Sequence, residues 1–205
     1  MRKIFLFMMV SLDGFFEGPN HDLSWHNVDR EFNEFAVEQT SEVGTLILGR
    51  RTYELFHDFW PNAPKDPNLS KEDLIIADLI NNMPKIVFSR TMMDIKEEKN
   101  WKNVTLKHKV DPEEIKKLKE QPGPTSAKAS VGKKDIAIFG SNHLCVSLMK
   151  EGLVDEFRIM LNPVVIGEGH TLFTGLNQKL NLKLIKTRNF KNGNVLLYYS
   201  SNSIR

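Results

Sequence analysis

Cysteine is almost missing from this sequence: Cys145 is the single one among 205 residues. No intramolecular disulfide can form and no cysteine-rich zinc site can be built, which fits a reducing compartment, so a cytoplasmic protein is expected. Charge of one sign is missing too. With 28 basic against 26 acidic residues and a formal net charge of +2, no global field draws nucleic acid or an anionic membrane, and neither is expected as a partner. Any anion must be held by local arrangement. No apolar run approaches the roughly 20 residues of a membrane span. Met1-Arg2-Lys3 ahead of the apolar run Ile4 to Val10 resembles a signal peptide only superficially, since the run is short, leads into Asp13 and has no small-residue cleavage site. The 6 histidines show no HExxH or H-x-E spacing, so no metal site is expected. GxGxxG, a Walker loop and internal repeats are also absent, which excludes an ordinary Rossmann or P-loop protein.

What is present suits one soluble domain over residues 1–205, with 40% hydrophobic residues to fill a core. Ile4 to Val10 reads as a strand buried on both faces. Phe32, Phe35, Ala36, Thr40 and Val43 recur at helical spacing behind the N-cap candidate Asp29. Thr45 to Leu48 reads as a second strand and Arg51 to Asp58 as a short helix. Ser70 with Asp73 opens a further helix that Pro84 must end, and Lys85 to Phe88 is the next strand. Asp111-Pro112-Glu113-Glu114 starts a surface helix rich in lysine at its far end. Gln121 to Lys134, with Pro122-Gly123-Pro124, reads as a flexible surface insertion. Asp135 to Phe139 is a strand, and Leu144 to Lys150 a helix closed by Gly152. Phe157 to Ile166 is a strand interrupted by Pro163. Leu182 to Phe190 and Val195 to Ser200 form a hairpin around Asn192-Gly193. Strands alternating with helices and ending in a hairpin give an α/β fold with helices on both faces of a mixed sheet.

Three junctions after core strands carry the chemistry: Leu48-Gly49-Arg50-Arg51-Thr52, Phe88-Ser89-Arg90-Thr91 and Phe139-Gly140-Ser141-Asn142-His143. Small or hydroxyl residues there allow close backbone approach, and helix N-termini offer N–H groups to phosphate. Ligands of open α/β sheets sit at the carboxyl ends of strands, so such junctions converge on one ligand. Taken one at a time, each junction also reads as a tight turn with solvated arginines. Their recurrence favours a nucleotide cofactor.

The sequence resembles a known family on four stretches: Val10-Ser11-Leu12-Asp13-Gly14-Phe15 with Gly18-Pro19; Leu48 to Glu54; Met83 to Thr91; and Gly152 to Arg158 through Asn162 to Gly169. These are similar to motifs of the dihydrofolate-reductase-like superfamily, in the group of the C-terminal reductase domain of bifunctional riboflavin-biosynthesis deaminase-reductases. The resemblance implies a three-layer αβα fold with a mainly parallel sheet, NADPH as cofactor, a homodimer, and reduction of a small heterocyclic or phosphoribosylamino-type substrate. It implies that Gly49, Arg50, Arg51 and Thr52 hold cofactor phosphates, that Ser89, Arg90 and Thr91 lie near the adenosine 2′-phosphate, and that Gly140, Ser141, Asn142, His143 and Leu144 approach the pyrophosphate. Ser11 to Phe15, with Leu12, Gly14 and Phe15, would line the nicotinamide and substrate.

The sequence departs from the wider family at two points. Gly140-Ser141 replaces a double glycine, and Asp29-Arg30-Glu31-Phe32-Asn33-Glu34 assigns no single carboxylate to support pterin protonation. Folate reduction is therefore disfavoured. No zinc-binding H-x-E with PCxxC, as a deaminase needs, is present. Asp13 is the catalytic candidate, to orient or protonate the substrate, and a turn-stabilising aspartate is the alternative. Trp25, Phe56 and Trp60 stack on a planar heterocycle or pack in the core, and Glu168 faces substrate or solvent. The competing reading of the whole is a non-catalytic NADP(H)-binding sensor or interaction module.

Overall fold

A computed structural model describes residues 1–95, 100–123 and 134–201. Most of the insertion expected at 121–134 lies outside the described residues. Among the described residues ten strands and five α-helices follow in chain order: β1 (Ile4–Ser11), β2 (Phe15–Glu17), α1 (Arg30–Ser41), β3 (Val43–Gly49), α2 (Arg50–Phe59), α3 (Lys71–Asn82), β4 (Lys85–Phe88), β5 (Val104–Lys107), α4 (Pro112–Glu120), β6 (Asp135–Ile138), α5 (Asn142–Lys150), β7 (Glu156–Asn162), β8 (His170–Thr171), β9 (Leu182–Asn189) and β10 (Val195–Ser201).

Eight strands form one sheet in the order β5-β4-β3-β6-β1-β7-β10-β9, and β2 pairs with β8 in a small second sheet. The pairs from β5 across to β7 are parallel, and β10 runs antiparallel to both β7 and β9. The fold is therefore the mixed, mostly parallel sheet expected, ending in the Asn192-Gly193 hairpin with Gly193 at φ 91°. Strand periodicity places helices on both faces. Ile4, Leu6, Met8 and Val10 of β1 pack with Leu144, Cys145 and Leu148 of α5 and Ile115 of α4. Phe5 points the other way, into a cluster with Tyr53 of α2 and Ile76 and Ile80 of α3.

Side-chain caps set three helix starts. The Asp29 carboxylate accepts from Phe32 N–H, Ser70 and Asp73 form a capping box, and Asp111 accepts from Glu113 and Glu114 N–H. The capping anticipated from sequence at α1, α3 and α4 is thus realised. Some boundaries differ from the expected ones, and one strand has no sequence signal. Val43 belongs to β3 and not to the helix before it, and α5 begins at Asn142 rather than Leu144. β7 stops at Asn162 instead of running to Ile166, because Pro163 has no N–H for the ladder. Strand β5, half-buried at the sheet edge, carries no clear apolar signal.

Candidate active site

The order β4-β3-β6 puts the three sequence junctions side by side at the carboxyl ends of neighbouring parallel strands. The Gly49 N–H donates to the Gly140 carbonyl at 3.2 Å. A Cβ built on Gly49 would meet Ser141 Oγ at 2.2 Å, and one on Gly140 would meet Thr52 Oγ1 at 2.7 Å, so the two corners close only on glycine. Gly140 also holds φ 118°, which L side chains rarely adopt. The Gly140–Ser141 peptide is cis. Arg50 bridges the first two corners, its Nε on Glu54 at 2.7 Å and its Nη1 on Thr91 Oγ1 at 3.0 Å.

Helix capping separates these corners from the rest of the fold. Gly49 is the N-cap residue of α2 and Ser141 that of α5, and neither makes a side-chain hydrogen bond to the first turn, whereas α1, α3 and α4 are all capped. An uncapped N-terminus presents unpaired N–H groups and the positive end of the helix dipole, which suits a phosphate. Both starts open on one cavity of about 1130 Å³, with Arg51 and Thr52 of α2 beside Gly140, Ser141, Asn142 and His143. Its apolar wall includes Phe7 and Met9 of β1, Phe32 and Ala36 of α1, Phe56 and Trp60, and Ile76 of α3, and polar side chains such as Glu17, His26, Asn33 and Gln39 also line it. Apolar walls set with polar groups are the general make-up of small-molecule pockets.

Other anticipated residues stand as follows. Ser89 is buried, and its hydroxyl accepts from Thr91 N–H and Met92 N–H, so it fixes the turn after β4. Arg90 is exposed and makes no ion pair among the described residues. Asn142 Nδ2 donates to the carbonyls of Thr171 and Leu172, tying α5 to the loop after β7, and the Leu144 side chain is in the core. Leu12, Gly14, Phe15, Trp25 and Glu168 are not on the cavity wall, which at this edge is Phe16 and Glu17 instead. The reason is local. Gly14 N–H returns to the Ser11 carbonyl, so the chain turns beyond the end of β1 before re-entering at β2. Trp25 Nε1 is spent on the Asp22 carbonyl.

Asp13 is exposed at the same turn, and its carboxylate accepts from Gly167 N–H at 2.8 Å and Ile166 N–H at 3.3 Å. A Ser11 hydrogen bond first, then these N–H groups, hold its carboxyl below the usual range. The geometry makes Asp13 a tie between two loops. Sequence reading missed His26, which lines the cavity with its Nε2 buried and unpartnered among the described residues. Burial pushes its imidazole down to about 4, against a smaller opposing pull from Asp22. It is neutral at neutral pH. No pattern in the sequence marks it, since its role depends on the fold of residues 18–29.

No helix among the described residues is long and apolar enough to cross a membrane. Among curated relatives, YyaP of Bacillus subtilis (strain 168), an uncharacterized protein, is 35% identical over 98% of this chain and 96% of its own length. A diaminohydroxyphosphoribosylaminopyrimidine deaminase/5-amino-6-(5-phosphoribosylamino)uracil reductase from Thermotoga maritima superposes with a TM-score of 0.65 at 14% identity, over 98% of this chain and 57% of that one. A dihydrofolate reductase from Enterococcus faecalis complexed with NADP(H) superposes with a TM-score of 0.57 at 17% identity, over 98% and 96%. The fold is that of dihydrofolate reductase. Matched over residues 2–196 by the family model described as the RibD C-terminal domain, the chain belongs to that family.

Proposed function

We propose that this protein is an NADPH-dependent reductase of a small heterocyclic or phosphoribosylamino-type substrate, similar to 5-amino-6-(5-phosphoribosylamino)uracil reductase. The observation that carries the reading is the pair of uncapped helix N-termini, α2 and α5, joined by the Gly49–Gly140 hydrogen bond, with Arg51 and Thr52 of one and Gly140 to His143 of the other lining one large cavity. The residues present fit a dinucleotide, because the glycines let the starts of α2 and α5 pack directly against each other and Arg51, Thr52, Gly140 and Ser141 line the cavity there. The fold shared with an NADP(H)-bound dihydrofolate reductase and the family membership support it.

When bound, the nicotinamide would supply a hydride. The N–H groups opening α2 and α5, with Thr52 and Ser141, would hold the phosphates, and Arg50 and Arg51 would add charge. Arg90 beside the β4 corner would meet the 2′-phosphate. Phe7, Phe56 and Trp60 would exclude water and align the acceptor, and the neutral His26 would form part of the same wall. Asp13 would act as a positioning residue by fixing the Ile166-Gly167 loop, with the proton coming from water. The family resemblance also supports a homodimer, which sedimentation velocity would test.

Titration of NADPH fluorescence, followed by NADPH oxidation against a panel of pyrimidine, pteridine and carbonyl acceptors, tests the reading. It expects saturable binding and oxidation with at least one acceptor. Tight binding without single-turnover oxidation would instead favour a non-catalytic NADP(H) sensor. Neither binding nor oxidation would end both readings.

A further inference from the structure

The loop after β1 and the loop after β7 meet at the cavity mouth through the β2–β8 ladder, where Glu17 pairs with His170. Glu17 Oε1 lies 2.9 Å from His21 Nδ1 and 3.1 Å from His170 Nδ1. The ligating atoms of these three side chains are all within 4.8 Å of one another. The two imidazoles lie nearly parallel, 10° apart with centroids at 5.5 Å. Two ligands each about 2.0 to 2.2 Å from one metal ion sit about 2.8 to 3.6 Å apart at right to tetrahedral angles. The two carboxylate–imidazole spacings are therefore within the range of a coordination sphere.

We propose that Glu17, His21 and His170 form a site for a first-row divalent transition metal, zinc in the first instance, at the lip of the cavity. Two imidazole nitrogens and one carboxylate are the donor set of open zinc sites and of facial non-haem metal sites, and both leave positions for water or ligand. Calcium and magnesium prefer all-oxygen sets and are disfavoured. All three residues line the cavity.

The backbone presets this cluster. Asn20 and His21 hold φ 55° and 63°, a region sparsely used by residues with a Cβ. A Cβ on Gly169 would meet the Glu17 carbonyl oxygen at 2.2 Å, so glycine is what lets His170 come this near. The Glu17 side chain is 16% exposed against 40% for His21 and 58% for His170, giving an anchored carboxylate with two imidazoles free to adjust.

Arg51 opposes the site. Its Nη1 is 2.8 Å from His21 Nδ1, and its Nη2 contacts His21 Nε2, placing a permanent positive charge where the cation would bind. Arg51 is exposed and its side chain is long, so it can swing aside. Metal binding must then work against it, and removing the charge must tighten binding. A cluster that only hydrogen-bonds the two loops would show no such response. The inference requires no dinucleotide and stands apart from the reductase reading.

The test is calorimetric titration of the chelator-treated full chain with zinc, with cobalt(II) absorption reporting coordination. One equivalent is expected to bind. His21→Ala and His170→Ala should each weaken it about tenfold or more, their combination should abolish it along with the cobalt visible bands, and Arg51→Gln should tighten it about fivefold or more. Circular dichroism without metal checks that each variant is folded, and the exposed His170→Ala alone decides the matter if His21→Ala is not. Zinc binding that is absent from both wild type and Arg51→Gln, or that survives loss of His170, overturns the proposal.

Discussion

Gly49 donates its backbone N–H to the carbonyl of Gly140, so two turns far apart in sequence abut where β3 and β6 end. The contact tolerates no side chain, since a Cβ on Gly49 would lie 2.2 Å from Ser141 Oγ and Gly140 has φ 118°. Gly140→Ala is expected to cost about 1 to 3 kcal/mol of stability through backbone strain, and Gly49→Ala a similar amount through forced displacement of Ser141. Both should weaken NADPH binding beyond what unfolding explains. Urea unfolding and NADPH titration at a temperature where each variant is folded check this.

Arg90 is the exposed cation beside the β4 corner, whereas Arg50 is engaged by Glu54 and Thr91. A charge-assisted hydrogen bond to phosphate contributes about 1.5 to 3 kcal/mol. Arg90→Ala should therefore reduce the preference for NADPH over NADH by about tenfold to a hundredfold while leaving NADH affinity nearly unchanged. Equal losses for both cofactors would move the 2′-phosphate elsewhere.

His26 predicts a pH dependence of known sign. Its imidazole titrates near 4 in the fold against 6.5 when unperturbed, so between those values the unfolded chain binds a proton that the native chain refuses. Its contribution is complete above about pH 6.5 and is lost as pH falls towards 4, by about 3 kcal/mol at most. His26→Gln should flatten that limb in chemical denaturation measured from pH 7 to pH 4. An unaltered limb would mean that the imidazole is not held neutral.

Asp13 separates a loop tie from an acid. General acids contribute about a hundredfold to ten-thousandfold in rate, but a carboxyl held below its usual range by Ser11, Gly167 and Ile166 has no proton to give near neutrality. Asp13→Asn should lower kcat less than about tenfold, with a comparable change in KM from the loosened Ile166-Gly167 loop. A loss of about a thousandfold in kcat alone would make Asp13 the proton donor.

Much of the architecture was readable in the residues because the signals are local. Ile4 to Val10 has no polar interruption, Ser70 and Asp73 cap each other, and Asn192-Gly193 turns a hairpin. The phosphate-compatible corners were legible for the same reason, as each joins small residues to the end of an apolar strand. Contacts created by loop packing left no local trace. Phe16 and not Phe15 faces the cavity, because the chain turns past β1 through Gly14. His26 and the Glu17, His21 and His170 cluster are assembled from loops whose meeting depends on Gly169 and on two left-handed residues. Strand β5 is an edge strand whose half-buried, alternating residues resemble a loop.

Hydrogen–deuterium exchange with and without saturating NADPH tests the central claim most directly, because it reports the two helix starts separately. Simultaneous protection of residues 49–53 and 140–145 is predicted, with α1, α3 and α4 starts unchanged because their side chains already cap them. Saturation that leaves both segments exchanging as before, or protects one without the other, would contradict a single phosphate cradle shared by the β3 and β6 corners.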